Sequence, residues 1–425
     1  MRFVPLACIA LALALAGCIE PEEGTDGGSG SGSGVWVQTD IAGADLDGDG
    51  STDVVTIASR QLNSGAPEGF LKLYRQTTFG GFVTSQIQVG RYPWRLKIAD
   101  VNGDGAPDLL VLDVIGGTGV NDDVLYLLLQ DANNRGRFLP ARTVAAGLSA
   151  SDFVVTDANL DLAPDIVTAG IPGDGTGAAQ YLQRLAVRGD FATPTTVAID
   201  GRLVKVAAAD VGASGRSDLV SYSVLDSAPA AASPGQLVVN YSTLLAGVGP
   251  RTFFSTPGRV MASYTGLNAQ SIDVADVDGN GLVDIVTCFT PSSSAFAARI
   301  SVVLRRPLTR IEVVATDIAN LSGLGSFVVT DLNGDGSPDV ATTGSYAVGS
   351  PSTVRSRTNI LAPTIAGRYV QTAAIDMPVT MTRINAADVD GDGLNDLILL
   401  GDSNRAYVMY QAFTQRGTFG APRLL

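Results

Sequence analysis

The sequence predicts an all-β fold, a seven-bladed β-propeller built from four-stranded antiparallel blades. The first observation is a nine-residue loop of the form D-x-D/N-x-D/N-G-x-x-D, which recurs at steps of 55, 57, 53, 66, 55 and 57 residues between first aspartates. A period of this length indicates a radial or solenoid array. The second observation is that strand-forming segments flank every loop. The first aspartates of the seven loops are Asp45, Asp100, Asp157, Asp210, Asp276, Asp331 and Asp388.

Each repeat contains four strand-forming segments. An apolar run precedes the loop, as in Phe153–Thr156, and a continuous apolar run follows it, as in Leu109–Leu112. A run of the second kind is typical of a strand that is buried on both faces. A third segment follows a loop rich in Gly, Ser and Pro, as in Ile300–Leu304, and a fourth opens with a Gly-x-aromatic step, as in Gly367–Tyr369. This pattern favours a propeller over a β-solenoid, whose coils are shorter and need caps.

The two ends of the chain bear on how the ring closes. The first strand starts near Trp36 and ends at Ala44, directly before loop one, and the last residues, Phe419–Leu425, have the pattern of a fourth strand. We expect the C-terminal strand to complete the blade that holds the N-terminal strands, because this arrangement removes open sheet edges.

Five of the loops have oxygen donors at positions 1, 3, 5 and 9 and glycine at position 6. Oxygen ligands of this kind suit Ca²⁺, and glycine permits a left-handed turn around the ion. Asp, Asn and Gly also form turns without metal, but the repeated carboxylates repel one another unless a cation neutralises them. Position 12 is not the glutamate of an EF-hand, and the flanks are strands. The predicted ligands are Asp45, Asp47, Asp49 and Asp53; Asp100, Asn102, Asp104 and Asp108; Asp276, Asp278, Asn280 and Asp284; Asp331, Asn333, Asp335 and Asp339; and Asp388, Asp390, Asp392 and Asp396.

The other two loops depart from this pattern. Loop three keeps Asp157, Asn159, Asp161 and Asp165 but has Leu162 at the glycine position. A left-handed leucine costs about 1–2 kcal/mol, so we expect a sixth, weaker calcium site there. In loop four, residues 210–218, Gly and Ser replace two ligands, and we expect no bound ion.

The loops, each followed by an apolar strand, resemble FG-GAP/VCBS repeats, the units of integrin-α-type propellers. The resemblance covers about Val35 to Leu425, and Phe419–Pro422 spells a compressed form of the FG-GAP name. It implies a calcium-stiffened propeller used for extracellular binding. Loops three and four depart from the family pattern, and nothing about integrin ligands carries over.

The N-terminal segment predicts export. Residues 1–17 have an arginine, a short apolar run and the ending Leu15-Ala16-Gly17, followed by Cys18, which resembles a bacterial lipobox. The alternative is an ordinary signal peptide. The lipobox implies lipidation of Cys18, and residues 18–34 form an acidic, then Gly/Ser-rich flexible linker ahead of the propeller at 35–425. Because no aspartate follows Cys18, we expect an outer-membrane or cell-surface location, with the lipid as the only membrane anchor.

Charge and cysteine content exclude some functions. The formal net charge is −14, which argues against a nucleic-acid partner. After processing, Cys288 has no partner for an intramolecular disulfide, and we expect it to be a small core residue.

The sequence favours a binding module over an enzyme. It has no histidine, which removes histidine-based triads, general bases and zinc or iron sites. The favoured hypothesis is an adhesion or binding module for an extracellular protein or glycan. A carbohydrate-active lyase or glycosidase that uses Asp, Arg or Lys on the same scaffold is the alternative, and a structural envelope lipoprotein is a third reading.

We expect ligands to bind on the face opposite the Asp-rich loops. In an up-and-down blade, the connections between blades share that face with the long loops between second and third strands, and recognition usually lies on such loops. For Tyr92 and Trp94, packing between blades is an equally weighted alternative. The candidate ligand-binding residues are Tyr92, Trp94, Arg95, Arg202, Tyr264 and Arg383.

Overall fold

The structure, a computed structural model, describes residues 35–425 apart from 63–64, 78–80, 115–122, 149, 171–177, 186–188, 199–201, 225–234, 243–253, 255–257, 266, 292–297, 308–310, 319–322, 349–352 and 403–404. In these residues it contains seven four-stranded antiparallel sheets and no α-helix, which confirms the predicted seven-bladed propeller. Nowhere in this part of the chain is there a helix long and apolar enough to span a membrane. The predicted signal peptide, Cys18 and the linker lie outside the described residues.

Each blade is one contiguous stretch of chain whose four strands are paired in chain order. The strands of blades one to four are β1 (Val35–Ala44), β2 (Asp53–Gln61), β3 (Glu68–Gln76) and β4 (Phe82–Gln88); β5 (Pro93–Ala99), β6 (Asp108–Asp113), β7 (Asp123–Leu128) and β8 (Arg142–Leu148); β9 (Ala150–Thr156), β10 (Asp165–Gly170), β11 (Ala178–Leu182) and β12 (Thr195–Ala198); and β13 (Arg202–Ala209), β14 (Asp218–Val224), β15 (Gly235–Asn240) and β16 (Arg259–Tyr264). Those of blades five to seven are β17 (Leu267–Ala275), β18 (Asp284–Pro291), β19 (Ala298–Arg305) and β20 (Ile311–Ile318); β21 (Gly323–Thr330), β22 (Asp339–Val348), β23 (Thr353–Pro363) and β24 (Tyr369–Met377); and β25 (Met381–Ala387), β26 (Asp396–Gly401), β27 (Arg405–Met409) and β28 (Arg423–Leu424).

The hydrophobic core lies between the blades. Second strands such as β6, β10 and β26 are buried along their whole length, as their apolar runs predict. Side chains on the two faces of these strands join different clusters, each shared by two neighbouring blades. Cys288 is fully buried in the cluster between blades five and six, which confirms its predicted core position.

The ring closes by packing of blade seven against blade one. Ile41 and Val54 of blade one share a buried cluster with Ile398 and Leu400 of blade seven, and the Asn385 Nδ2 atom donates a hydrogen bond to the Ile41 carbonyl at 3.4 Å. The structure corrects the expected closure: β28 pairs with β27 of its own blade and does not complete the N-terminal blade. The physical reason is that β1–β4 already form a complete four-stranded sheet.

The first strands line the centre of the ring, where each contacts the first strand of the next blade and β25 contacts β1. Every first strand contains a β-bulge at the same place, six residues before the first aspartate of its loop. A bulge adds one unpaired residue, bends the strand and re-aims the neighbouring side chains. The bulged residues are Thr39, Trp94, Ser151, Val204, Gln270, Gly325 and Thr382.

Candidate metal loops and channel mouth

The first aspartate organises the backbone of every Asp-rich loop. In all seven loops its Oδ2 atom accepts a hydrogen bond from the N–H of position 6, at 2.7–3.0 Å. In loop one the glycines at positions 4 and 6, Gly48 and Gly50, have φ values of +78° and +90°. This left-handed conformation is the one that glycine adopts without strain. The loop shape therefore follows from the first aspartate and two turn positions.

The ninth position ties each loop to the third strand of its blade. In six loops the Oδ2 atom of this aspartate accepts the N–H of position 2 at 2.9–3.3 Å, and in loop four it accepts the Gly212 N–H at 2.5 Å. In six blades its Oδ1 atom accepts an N–H at the end of the third strand at 2.6–2.8 Å, as from Gln76 to Asp53. All seven side chains are at most 1 % exposed. These predicted ligands thus also hold the blade together.

Burial makes the ninth carboxyl harder to ionise in the absence of a cation. It raises the pKa of Asp53 to about 6 and that of Asp396 to about 7, and the other carboxylates of each loop add to the shift. Burial and neighbouring carboxylates also raise the pKa of the third-position residues Asp47 and Asp390. A bound cation would reverse this effect, because an opposite charge stabilises the ionised carboxylate.

Three loops bring carboxylates close enough to share one metal ion. In each of them, one oxygen atom from positions 1, 3 and 9 lies within 4.8 Å of the corresponding atoms of the other two residues. This spacing and this donor chemistry fit a hard divalent cation such as Ca²⁺. The three groups are Asp45, Asp47 and Asp53 in loop one; Asp276, Asp278 and Asp284 in loop five; and Asp388, Asp390 and Asp396 in loop seven.

The aspartates at the fifth position make hydrogen bonds within their own loops. Asp49 and Asp392 lie outside the close groups, and their Oδ1 atoms accept the N–H of position 7 at 2.8 and 2.9 Å. In loops two, three and six the third position is asparagine, as in Asn102, whose Oδ1 atom accepts the Asp104 N–H at 2.8 Å. The amide lowers the number of formal charges in these loops from four to three.

Loops three and four keep the common backbone with altered residues. Leu160 and Leu162 of loop three have φ values of 63° and 65°, so this loop holds two left-handed leucines where the five complete loops have glycine. Ala213 of loop four, at the position of Leu160, has a φ of 55°. The sequence predicts the strain at Leu162 but not at Leu160. In loop four, Asp210 and Asp218 make the same kind of backbone hydrogen bonds as their counterparts. Loop four therefore folds without the ligands of positions 3 and 5.

The candidate ligand-binding residues separate into two groups. Trp94 lies in the bulge of β5, with its ring centroid 5.1 Å from the Arg95 guanidinium carbon and 6.0 Å from that of Arg383. Tyr92 is half-buried on the connection into β5, where its N–H donates to Asp113. Three of the candidates, Trp94, Arg95 and Arg383, therefore lie together at the channel mouth, the end of the central channel opposite the Asp-rich loops. Tyr92 precedes Trp94 by two residues.

Tyr264 and Arg202 are not part of this group. Tyr264, one of the candidate ligand-binding residues, is buried. It is 8 % exposed, its ring centroid is 4.4 Å from that of Phe289, and its hydroxyl hydrogen-bonds Ser301 Oγ at 2.8 Å. The packing of blades four and five buries it. Arg202 begins β13, and its side chain lies outside the described part of the structure.

Sequence reasoning missed a ring of polar residues in the channel. It occupies the position that follows each bulge, five residues before the first aspartate of the loop, and it carries five charges. The sequence contains a signal for this ring: on each first strand the residue after the polar one is apolar. That apolar residue joins the cluster shared with the preceding blade, as Ile41 and Phe153 do. We call these residues the channel ring: Asp40, Arg95, Asp152, Lys205, Ser271, Ser326 and Arg383.

Comparison with known proteins agrees with this architecture. The profile of the FG-GAP-like repeat matches residues 45–111, which include loops one and two with the strands between them. Together with the seven four-stranded blades, this match fits an FG-GAP repeat propeller. A search of curated proteins gave no significant match.

Proposed function

We propose that this FG-GAP repeat propeller is a calcium-stabilised, non-catalytic binding module that acts outside the cytoplasm and is tethered to a bacterial membrane through Cys18. The observation that carries the binding role is the convergence of Trp94, Arg95 and Arg383 at the channel mouth. An aromatic ring beside cationic groups on a rigid scaffold is suited to recognition of a glycan or protein. The close carboxylate groups in loops one, five and seven support the calcium-binding part of the proposal.

In this proposal calcium is structural. Positions 1, 3 and 9 would hold the ion in loops one, five and seven, and the bound charge would offset the repulsion among their carboxylates. Since position 9 is also bonded to the third strand, as Asp53 is to Gln76, an ion in the loop would stiffen three strands of the blade at once. Five complete loops and the strained loop three give five strong sites and one weaker one.

The first test removes calcium. Ions that bind only the folded state stabilise it by mass action, by about 2.7 kcal/mol per site at a hundredfold excess over Kd. Excess EGTA should therefore lower the melting temperature by on the order of 10 °C, and added Ca²⁺ should restore it. Asp335→Ala should remove one bound ion by metal analysis, whereas Ser214→Ala in loop four should remove none. An unchanged melting curve in protein shown to be metal-free would rule out the structural role.

The second test concerns the binding face. Glycan and protein arrays should identify ligands, and Trp94→Ala should weaken their binding at least tenfold while metal content stays unchanged. Phe413→Ala is the matched control, because this 71 % exposed aromatic lies in the turn between β27 and β28, on the side of the Asp-rich loops. If only the control variant loses binding, the face is assigned to the wrong side. Release of reducing sugar from a bound glycan would favour the carbohydrate-active alternative.

The membrane tether is tested separately. Cys18→Ser should move the protein from the membrane fraction to the soluble fraction, because the thiol that would carry the lipid is lost. Mass spectrometry of the wild-type N-terminus should show cleavage before Cys18 and a diacyl modification. A soluble, unmodified wild-type protein would contradict this part of the proposal and leave the binding role intact.

A further inference from the structure

The channel ring brings charges from different blades into one place. Each member occupies the equivalent position on its first strand, and neighbouring first strands contact one another around the centre of the ring. Ion pairs cross between blades: Arg95 of blade two pairs with Asp152 of blade three, and Arg383 of blade seven pairs with Asp40 of blade one. Lys205 occupies the same position after the bulge of β13 on blade four, so it belongs to the same central cluster. Lys205 is 8 % exposed, and Arg95 and Asp152 are 9 % and 8 % exposed. These three members of the ring are therefore largely desolvated, and the other four are half-buried.

The charges of the ring do not balance. Arg95 and Asp152 form one ion pair, with 3.5 Å between Nε and Oδ1, and Arg383 and Asp40 form a looser one, with 3.8 Å between the same atom types. Lys205 remains as a third cation. Among the described residues its ammonium has no hydrogen bond and no ion pair within 4 Å. When Lys205 is protonated, the ring thus carries one excess positive charge.

The two acids are already engaged by backbone groups. Asp40 accepts the N–H of Ile41 at 3.1 Å and that of Leu96 at 3.0 Å. Asp152 accepts the N–H of Phe153 at 3.0 Å. A carboxylate that is held by its own strand and by an arginine is poorly placed to turn toward another cation. The backbone hydrogen bonds of the two acids therefore leave Lys205 without a carboxylate partner.

The uncompensated part of the ring is the sector from blade four to blade seven. At the level of the ring it presents Lys205, Ser271, Ser326 and Arg383, which are all able to donate hydrogen bonds. Asp273, an acid on a first strand of this sector, lies two residues further along β17 than Ser271, and its Oδ1 atom accepts the Val274 N–H at 2.9 Å. A buried cation without a partner is unfavourable, and an anion among these donors would relieve it.

We propose that the channel ring binds a carboxylate group of a ligand between Lys205 and Arg383. This inference rests on the proposed binding function and names the chemical class of its ligand. A single excess charge matches a monoanion, and the planar guanidinium of Arg383 matches the two oxygens of a carboxylate. Trp94, 6.0 Å from Arg383, is placed to contact the body of the molecule that carries this group. The carboxylate is either free or part of an acidic sugar.

The lysine content of the chain makes a direct test possible. Lys72, Lys97 and Lys205 are its only lysines, so NMR spectra of protein labelled with ¹³C at the lysine ε-carbon can be assigned with three single substitutions. Sodium chloride, acetate, glucuronate and phosphate are titrated at constant pH and ionic strength. Acetate and glucuronate should move the Lys205 signal saturably and leave that of Lys72 in place. Tighter binding of glucuronate than of acetate would identify the sugar acid as the source.

Two substitutions complete the design. Lys205→Met should abolish the stabilisation of the protein by glucuronate in thermal melts, whereas Lys97→Met, which alters an exposed lysine two residues further along its strand, should retain it. Failure of both carboxylates to move the Lys205 signal overturns the inference, as does equal binding of chloride or phosphate. Because the wild-type titration needs no array ligand, it separates failure of the carboxylate site from failure of the binding function, which the Trp94→Ala comparison tests.

Discussion

At the scale of single residues, the ninth position of the Asp-rich loops has a role that calcium binding alone does not explain. Asp218 of loop four accepts hydrogen bonds from the N–H groups of Gly212 and Ser242 at 2.5 and 2.7 Å, although its loop lacks the ligands of positions 3 and 5. The same aspartate is buried in all seven loops. Its constancy within the repeat therefore reflects the joining of loop to blade as well as the metal.

This distinction can be measured at Asp218. Asp218→Ala should destabilise the protein by about 1–3 kcal/mol, because two half-buried N–H groups lose their partner. The effect should be equal in Ca²⁺ and in EGTA, and metal analysis should show no lost ion. Ser214→Ala in the same loop is the control and should be nearly neutral. A calcium-dependent loss of stability for Asp218→Ala would show that loop four binds an ion after all.

Lys205 gives a prediction for pH. Burial, followed by the charges of Arg95 and Arg383, lowers its pKa to about 7, with Asp152 and Asp40 opposing. Between about pH 7 and pH 10 the unfolded state binds more protons than the folded state, so this lysine makes stability rise with pH. Without ligand, the melting temperature of Lys205→Met should exceed that of the wild type at pH 7, and the difference should shrink toward pH 10. A difference that does not change with pH would contradict an ammonium with a lowered pKa.

At the scale of one loop, the two left-handed leucines of loop three strain the backbone, and substitution with glycine should relieve this strain. Glycine at positions 160 and 162 would remove the steric cost of the positive φ, about 1–2 kcal/mol each, but would lose about 0.5–1 kcal/mol each in chain entropy. The central values of these ranges predict that the double variant Leu160→Gly/Leu162→Gly is more stable by about 1.5 kcal/mol. Urea unfolding in EGTA measures the difference. Leu139→Gly, an exposed leucine outside the positive-φ set, should instead be neutral or destabilising.

At the scale of strands, the sequence predicts which segments form strands better than it predicts the bulges and contacts within them. Runs such as Leu109–Leu112 and Phe153–Thr156 identify second and first strands because burial on a blade fixes their polarity. The bulge at Trp94 cannot be predicted from the sequence, because an extra residue is defined only by the pairing with the partner strand. Tyr264 shows a related limit: an aromatic near a long loop suggests an exposed contact, but its burial depends on Phe289 in the next blade.

At the scale of the whole molecule, the period of the repeat predicts seven blades, but it does not predict where each blade begins and ends. The segment at Phe419–Leu425 has the pattern of an outer strand, and that pattern cannot reveal which blade it joins. The structure places β28 on blade seven, so among the described residues no strand from one end of the chain pairs with the blade at the other end. What joins the ends is the side-chain cluster that includes Ile398 of β26 and Val54 of β2.

Two neighbouring residues of β26 test this closure, because their side chains point to opposite faces of blade seven. Ile398 packs against blade one, whereas Leu397 packs against blade six, which precedes it in the chain; both are fully buried. In a closed ring the two alanine variants should cost similar amounts, about 2–5 kcal/mol each, because each leaves a cavity of comparable size between two packed blades. Chemical unfolding followed by circular dichroism gives both values. If Leu397→Ala is costly while Ile398→Ala is nearly neutral, blade seven does not pack on blade one, and the ring is open at that junction.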